Sequence, residues 1–92
     1  MPINKNALLR YQILDRCFSD HHRRYEIEDL VDKVNEALLD MYGKTVSLRQ
    51  IRADITYMRD RVSYNAPIVA RPIEGRRCYY TYEDPHFSIF SS

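Results

Sequence analysis

Arg49, Gln50, Ala53, Thr56 and Tyr57 fall together on one side of a short amphipathic segment, Ser47 to Val62. Arginine forms paired hydrogen bonds with the guanine edge, and glutamine does so with the adenine edge. A small alanine between them lets backbone come close to the bases. The chemistry these types suit is reading of double-stranded DNA. The opposite side of the segment carries Leu48, Ile51, Ile55, Met58 and Val62, a single apolar stripe at helical spacing. Ser47 is placed to cap the helix, with Gln50 three residues on as a capping box needs.

Further cations surround this segment. Arg76 and Arg77 adjoin a predicted hairpin turn with Arg71 across it. Three arginines so close repel one another unless a phosphate lies between, so a backbone contact is favoured for them. Tyr57 suits either a phosphate hydrogen bond or packing against the hairpin. The net charge of +1 hides an asymmetry. Residues 1–43 hold six Lys/Arg against eight Asp/Glu, residues 44–82 hold eight against three, and residues 83–92 add two acids. Seven of the eight cations in the middle stretch are arginine, whose planar fork engages phosphate and guanine better than lysine does.

The elements that must hold these groups follow from periodicity. A first helix is predicted from about Lys5 to Phe18 after Asn4 as cap, with Ala7, Tyr11, Leu14 and Phe18 on one face. A polar break at Ser19 to Arg24 precedes a second helix, about Glu28 to Met41. Its stripe is Leu30, Val31, Val34, Ala37, Leu38 and Met41, and Gly43 ends it. Acids at Glu26, Glu28, Asp29 and Asp32 suit its N-terminal end. Lys44 to Val46 form a turn into the third helix. After a connector, Ser63 to Pro67, two β-rich runs, Ile68 to Ile73 and Arg76 to Tyr82, flank Glu74-Gly75 and read as a hairpin. Pro72 must sit at a strand edge or bulge. Helix, helix, turn, helix, hairpin is a mainly α fold with a C-terminal β-hairpin: a winged helix-turn-helix of three helices plus wing. The tail 85–92 holds apolar Phe87, Ile89 and Phe90, which either fold back on the core or begin a linker.

Several functions are disfavoured. No apolar run is long enough to span a membrane, and Met1-Pro2-Ile3-Asn4-Lys5-Asn6 has no signal-peptide pattern. His21, His22 and His86 lack ligand spacing with Cys17 and Cys78, so no metal and no cofactor is expected. Both cysteines flank apolar residues and read as buried free thiols. There is no nucleophile–base pair or glycine-rich phosphate loop, so no enzyme is expected. Asp54 reads as a partner of Arg52, Arg61 or a helix cap. Arg23 and Arg24 read as solvent-facing. Tyr79, Tyr80 and Tyr82 read as a packed strand with one wet face, the other reading being a stacking platform for single strands.

Val46 to Ile55, Val-Ser-Leu-Arg-Gln-Ile-Arg-Ala-Asp-Ile, resembles the recognition-helix signature of DeoR-type bacterial repressors. With Asn4 to Asp15, Arg24 to Leu30 and Gly75 to Pro85, the chain is more similar still to the N-terminal domain of WYL-domain transcriptional regulators. The resemblance implies that Ser47, Arg49, Gln50 and Arg52 occupy DNA-contacting positions. Arg52 lies on the flank of the helix, where a phosphate contact suits it. Such regulators continue into a WYL sensor domain, and none is expected within these 92 residues. Residues 85–92 then read as the start of a linker after a DNA-binding domain of residues 1–84. The second helix and turn, Asp29 to Val46, are longer than the compact DeoR-type spacing. The expectation is a sequence-specific, double-stranded-DNA-binding module of a bacterial cytoplasmic regulator. Its partners would be DNA and a sensor domain, with a homodimer left open. The alternative is a winged-helix protein-interaction or dimerisation domain without DNA.

Overall fold

The computed structural model of the chain describes residues 4–90. Met1-Pro2-Ile3, part of the segment read as lacking a leader, and Ser91-Ser92 at the end of the tail lie outside the described residues. The elements are α1 (Lys5–Ser19), α2 (Ile27–Tyr42), α3 (Leu48–Arg59), β1 (Ile68–Pro72) and β2 (Cys78–Tyr82). The three helices and the antiparallel hairpin are the winged helix arrangement expected from periodicity.

Capping explains where the helices start. The Asn4 side chain accepts from the Ala7 N–H at 2.7 Å, and the Ser47 hydroxyl accepts from the Gln50 N–H at 3.1 Å. At α2 the Glu26 N–H donates to Asp29 at 2.9 Å. Gly43 closes α2 at φ 65°, a left-handed position that suits a residue without Cβ.

One core joins the elements. Leu14 and Phe18 of α1, Leu30, Val34 and Leu38 of α2, Ile51 and Met58 of α3, and Tyr82 of β2 are all buried. The hairpin pairs Ile68 with Tyr82 and Arg71 with Tyr79. A single bridge from Tyr25, just before α2, adds to β2, with the Tyr80 N–H donating to the Tyr25 carbonyl at 2.9 Å. The wing is thereby tied to the front of α2.

Three expectations about the apolar stripes need correction. α3 stops at Arg59, not Val62. The Asp60 carboxylate accepts from the Val62 N–H at 2.8 Å, and the Ala66 N–H donates to the Met58 carbonyl at 2.8 Å. A side chain that offers the backbone a local turn competes with continued helix. Val62 therefore sits in the turn and is 95% exposed. Met41 is 61% exposed, because the chain turns away at Gly43 before any element covers it. Leu48, the first residue of α3, is also exposed. The strands are shorter than expected, so Ile73, Arg76 and Arg77 belong to the turn of the hairpin. There the Ile73 N–H donates to the Arg77 carbonyl, and the Arg77 N–H to that of Glu74, both at 3.0 Å. Gly75 takes φ 57°.

The tail folds back on the core. Phe87 packs edge-on to the Tyr82 ring at 4.8 Å, and Ile89 packs against the same cluster. Asp15, buried on α1, gathers the ends. It accepts from the Tyr82 hydroxyl at 2.6 Å, the Ser88 hydroxyl at 2.9 Å and the Ile89 N–H at 3.0 Å. Burial, and then the carboxylate at its hydroxyl, push the Tyr82 phenol well above its ordinary range.

Candidate nucleic-acid interface

With Ile51, Ile55 and Met58 buried, the rest of α3 is turned outward. Arg49, Arg52, Ala53 and Thr56 are exposed, and Thr56 donates its hydroxyl to the Arg52 carbonyl at 3.1 Å. The tail packs at Asp15 of α1, not over this face. Two guanidiniums, a methyl and a hydroxyl thus form a ridge with little relief at its centre.

Gln50 stands at the edge of that ridge and is half-buried. Its Nε2 donates to Asp54 Oδ1 at 2.9 Å. Asp54 is 2% exposed and meets Arg10 of α1, which donates from Nε to Oδ2 at 2.7 Å and from Nη2 to Oδ1 at 3.1 Å. The partner of Asp54 is therefore neither Arg52, Arg61 nor a cap. Arg10 sits beside the buried Tyr11 and reaches across from another helix, which local spacing around Asp54 does not reveal.

Tyr57 packs by its ring, though not against the wing strands, and stays 36% exposed. Its ring stacks on Tyr11 of α1 at 5.2 Å and meets Tyr64, in the connector, edge-on at 6.2 Å. Tyr64 also meets Tyr11 edge-on at 5.8 Å. Burial raises the Tyr11 and Tyr64 phenols above their ordinary value. Arg59 ties the end of α3 to the hairpin, donating from Nε to the Ile68 carbonyl at 3.1 Å.

The turn between α2 and α3 is held by a residue the sequence did not single out. Asn35, half-buried in mid-α2, accepts from the Val46 N–H at 2.8 Å and donates to the Val46 carbonyl at 3.0 Å. This two-way clamp fixes the entry of α3 one residue before its cap. The longer α2 and turn are thus bridged by a side chain.

The wing arginines have different environments. Arg77 donates to both oxygens of Glu26, from Nε at 3.0 Å and from Nη2 at 2.7 Å, and lies 3.6 Å from Glu74. The hydrogen bond from Arg77 holds the Glu26 carboxyl below its usual range. Arg76 is exposed, and no ion pair engages it among the described residues. Arg71 projects from the same hairpin face as its partner Tyr79, into an open cleft of about 590 Å³ shared with His21, His22, Arg23 and Arg24. Arg24 is exposed, as expected, but its guanidinium lies 5.2 Å from the centre of the Tyr79 ring.

The tyrosines of β2 are packed as a strand, with Tyr82 buried and Tyr79 and Tyr80 half-buried. Of the cysteines, Cys17 is buried, whereas Cys78 is only half-buried because its end of β2 faces the open wing. Burial pushes the Cys17 thiol up to about 11. Among the described residues, no group of His, Cys, Asp and Glu could hold a metal ion, and no helix is long and apolar enough to cross a membrane.

The family model for the N-terminal winged helix domain of WYL domain-containing proteins matches residues 6–83. Comparison with curated proteins and with solved structures gave no match.

Proposed function

The chain belongs to the family of N-terminal winged helix domains of WYL domain-containing proteins, and from that premise we propose that it binds double-stranded DNA sequence-specifically. In this reading it is the DNA-binding module of a bacterial cytoplasmic transcriptional regulator of DeoR-like type, working with a WYL sensor domain. α3 enters the major groove with Arg49 and Gln50 toward base edges, and Ser47 marks the end that approaches first. Ala53 and Thr56 allow close contact. Arg52 on the flank, with Arg71 and Arg76 on the wing, neutralises phosphates. The observation that carries this is the outward face of α3, which neither the tail nor another element covers.

The test is fluorescence anisotropy with labelled duplexes across a salt series. Each neutralised phosphate releases counterions, so the logarithm of affinity falls with that of salt at a slope of roughly −0.9 per contact. Three contacts give a loss of roughly 40-fold between 50 and 200 mM salt. Arg49→Ala should flatten base preference while leaving that slope unchanged. A salt-independent signal, or none, refutes the reading. The second reading is a protein-interaction domain. It is favoured by Leu39, Met41, Tyr42 and Leu48, exposed apolar residues at the end of α2 and the start of α3. Self-association in sedimentation by a chain that binds no duplex would support this second reading, and duplex binding with no self-association would refute it.

A further inference from the structure

The Arg10–Asp54–Gln50 chain of hydrogen bonds does more than join two helices. Resting on the duplex-DNA reading above, the geometry points to Asp54 as the positioning residue that makes Gln50 a reader of adenine, with Arg10 holding Asp54 in place. A carboxylate can only accept hydrogen bonds. The Gln50 atom 2.9 Å from Asp54 Oδ1 must therefore be its nitrogen, which fixes the orientation of an otherwise reversible amide. One N–H is committed to Asp54. What remains to face a base is one N–H donor and the carbonyl acceptor.

The adenine edge in the major groove offers N7 as acceptor and the N6 amino group as donor, which is the complement of that pair. The guanine edge offers two acceptors, N7 and O6, and would set the Gln50 carbonyl against O6. Asp54 cannot swing aside to release the amide, because Arg10 grips both its oxygens and the residue is 2% exposed. The Gln50 rotamer is thereby chosen before DNA arrives, which reduces the ordering cost on binding.

Asp54 touches no base in this scheme, so its test must read specificity and not affinity alone. Selection from a random duplex pool with the unaltered chain defines the preferred site. Repeating it with Gln50→Ala, which removes the half-buried amide and leaves the Arg10–Asp54 pair in place, identifies the base step that Gln50 reads. Adenine should be preferred there by roughly 5- to 150-fold. Asp54→Asn can donate to Gln50 and turn the amide over. It should reduce that one preference to within about twofold while other positions persist. In the Gln50→Ala background, Asp54→Asn should change the base preference no further. A structural role alone would weaken all positions together. Side-chain amide NMR of the unaltered chain provides a readout independent of any variant. One Gln50 amide proton should be protected from exchange and its twin should not. The proposal is overturned if Asp54→Asn retains the preference, if the Gln50 step selects another base, or if both amide protons exchange alike. Failure of the unaltered chain to bind duplex at all is a separate result, which removes the DNA reading itself.

Discussion

Removing the Asn35 clamp should cost the chain a sizeable part of its stability and loosen the start of α3. Asn35→Ala deletes two hydrogen bonds, at 2.8 and 3.0 Å, and leaves the Val46 N–H and carbonyl half-sheltered. Each neutral bond contributes about 0.5–1.5 kcal/mol net, so the pair is worth about 2 kcal/mol. A domain of this size is stable by roughly 5–14 kcal/mol. The loss should lower Tm by roughly 8–16 °C and shift the urea midpoint by about 1 M. Asn35→Asp sharpens the test. Its carboxylate still accepts from the Val46 N–H but faces the Val46 carbonyl without a proton. Below a pH of roughly 4 the acid regains a donor, so its deficit against the unaltered chain should shrink there. Hydrogen exchange at Val46 reports the clamp directly and should rise in Asn35→Ala before global unfolding. An Asn35→Ala chain within about 0.5 kcal/mol of the original, with unchanged Val46 exchange, would refute the reasoning.

Other expectations concern the wing and the thiols. Arg76→Ala should reduce the magnitude of the salt slope of duplex binding by about 1, whereas Arg77→Ala should change it less, since Glu26 already neutralises Arg77; equal effects would show that the Glu26 pair opens on DNA. At pH 8 a thiol reagent should modify Cys78 quickly and Cys17 only on unfolding, and simultaneous labelling would contradict the burial of Cys17. Between pH 9, the ordinary thiol value, and about 11, folded Cys17 keeps a proton that the unfolded chain has released. Stability therefore falls as pH rises through that window, by about 1.4 kcal/mol per unit, and the raised phenols of Tyr11, Tyr64 and Tyr82 add in the same direction at higher pH. A urea midpoint that stays flat from pH 8 to 11 would contradict this.

The helices and the hairpin were legible because each writes its own period. Ala7, Tyr11, Leu14 and Phe18 recur at helical spacing and are buried. Ser47 opens α3 and Gly43 closes α2 for local reasons that need no tertiary knowledge. Periodicity failed where a local turn cut across it. Val62 continues the α3 stripe on paper, but the Asp60 side chain had already turned the chain. The polar contacts were less legible still. Asp54 with Arg10, Asp15 with Ser88, and Arg77 with Glu26 each join positions far apart in sequence. No spacing rule links such pairs; only the packed core brings them together. Asn35 gave no signal at all, since an asparagine on a half-buried helix flank looks like any solvated residue. The face of α3 singled out from periodicity is exposed, but Gln50 has a carboxylate behind it and Arg77 is engaged in an ion pair.

The stacked rings of Tyr11, Tyr57 and Tyr64 carry an optical consequence. The chain has no tryptophan, so its ultraviolet emission comes from tyrosine alone. At centroid separations of 5.2 to 6.2 Å the three phenols exchange excitation and couple as chromophores. One of them rides on α3 itself. Any contact that tilts α3 against α1 would then register in near-ultraviolet circular dichroism and in the polarisation of native emission, so the molecule reports the posture of that helix without an attached dye.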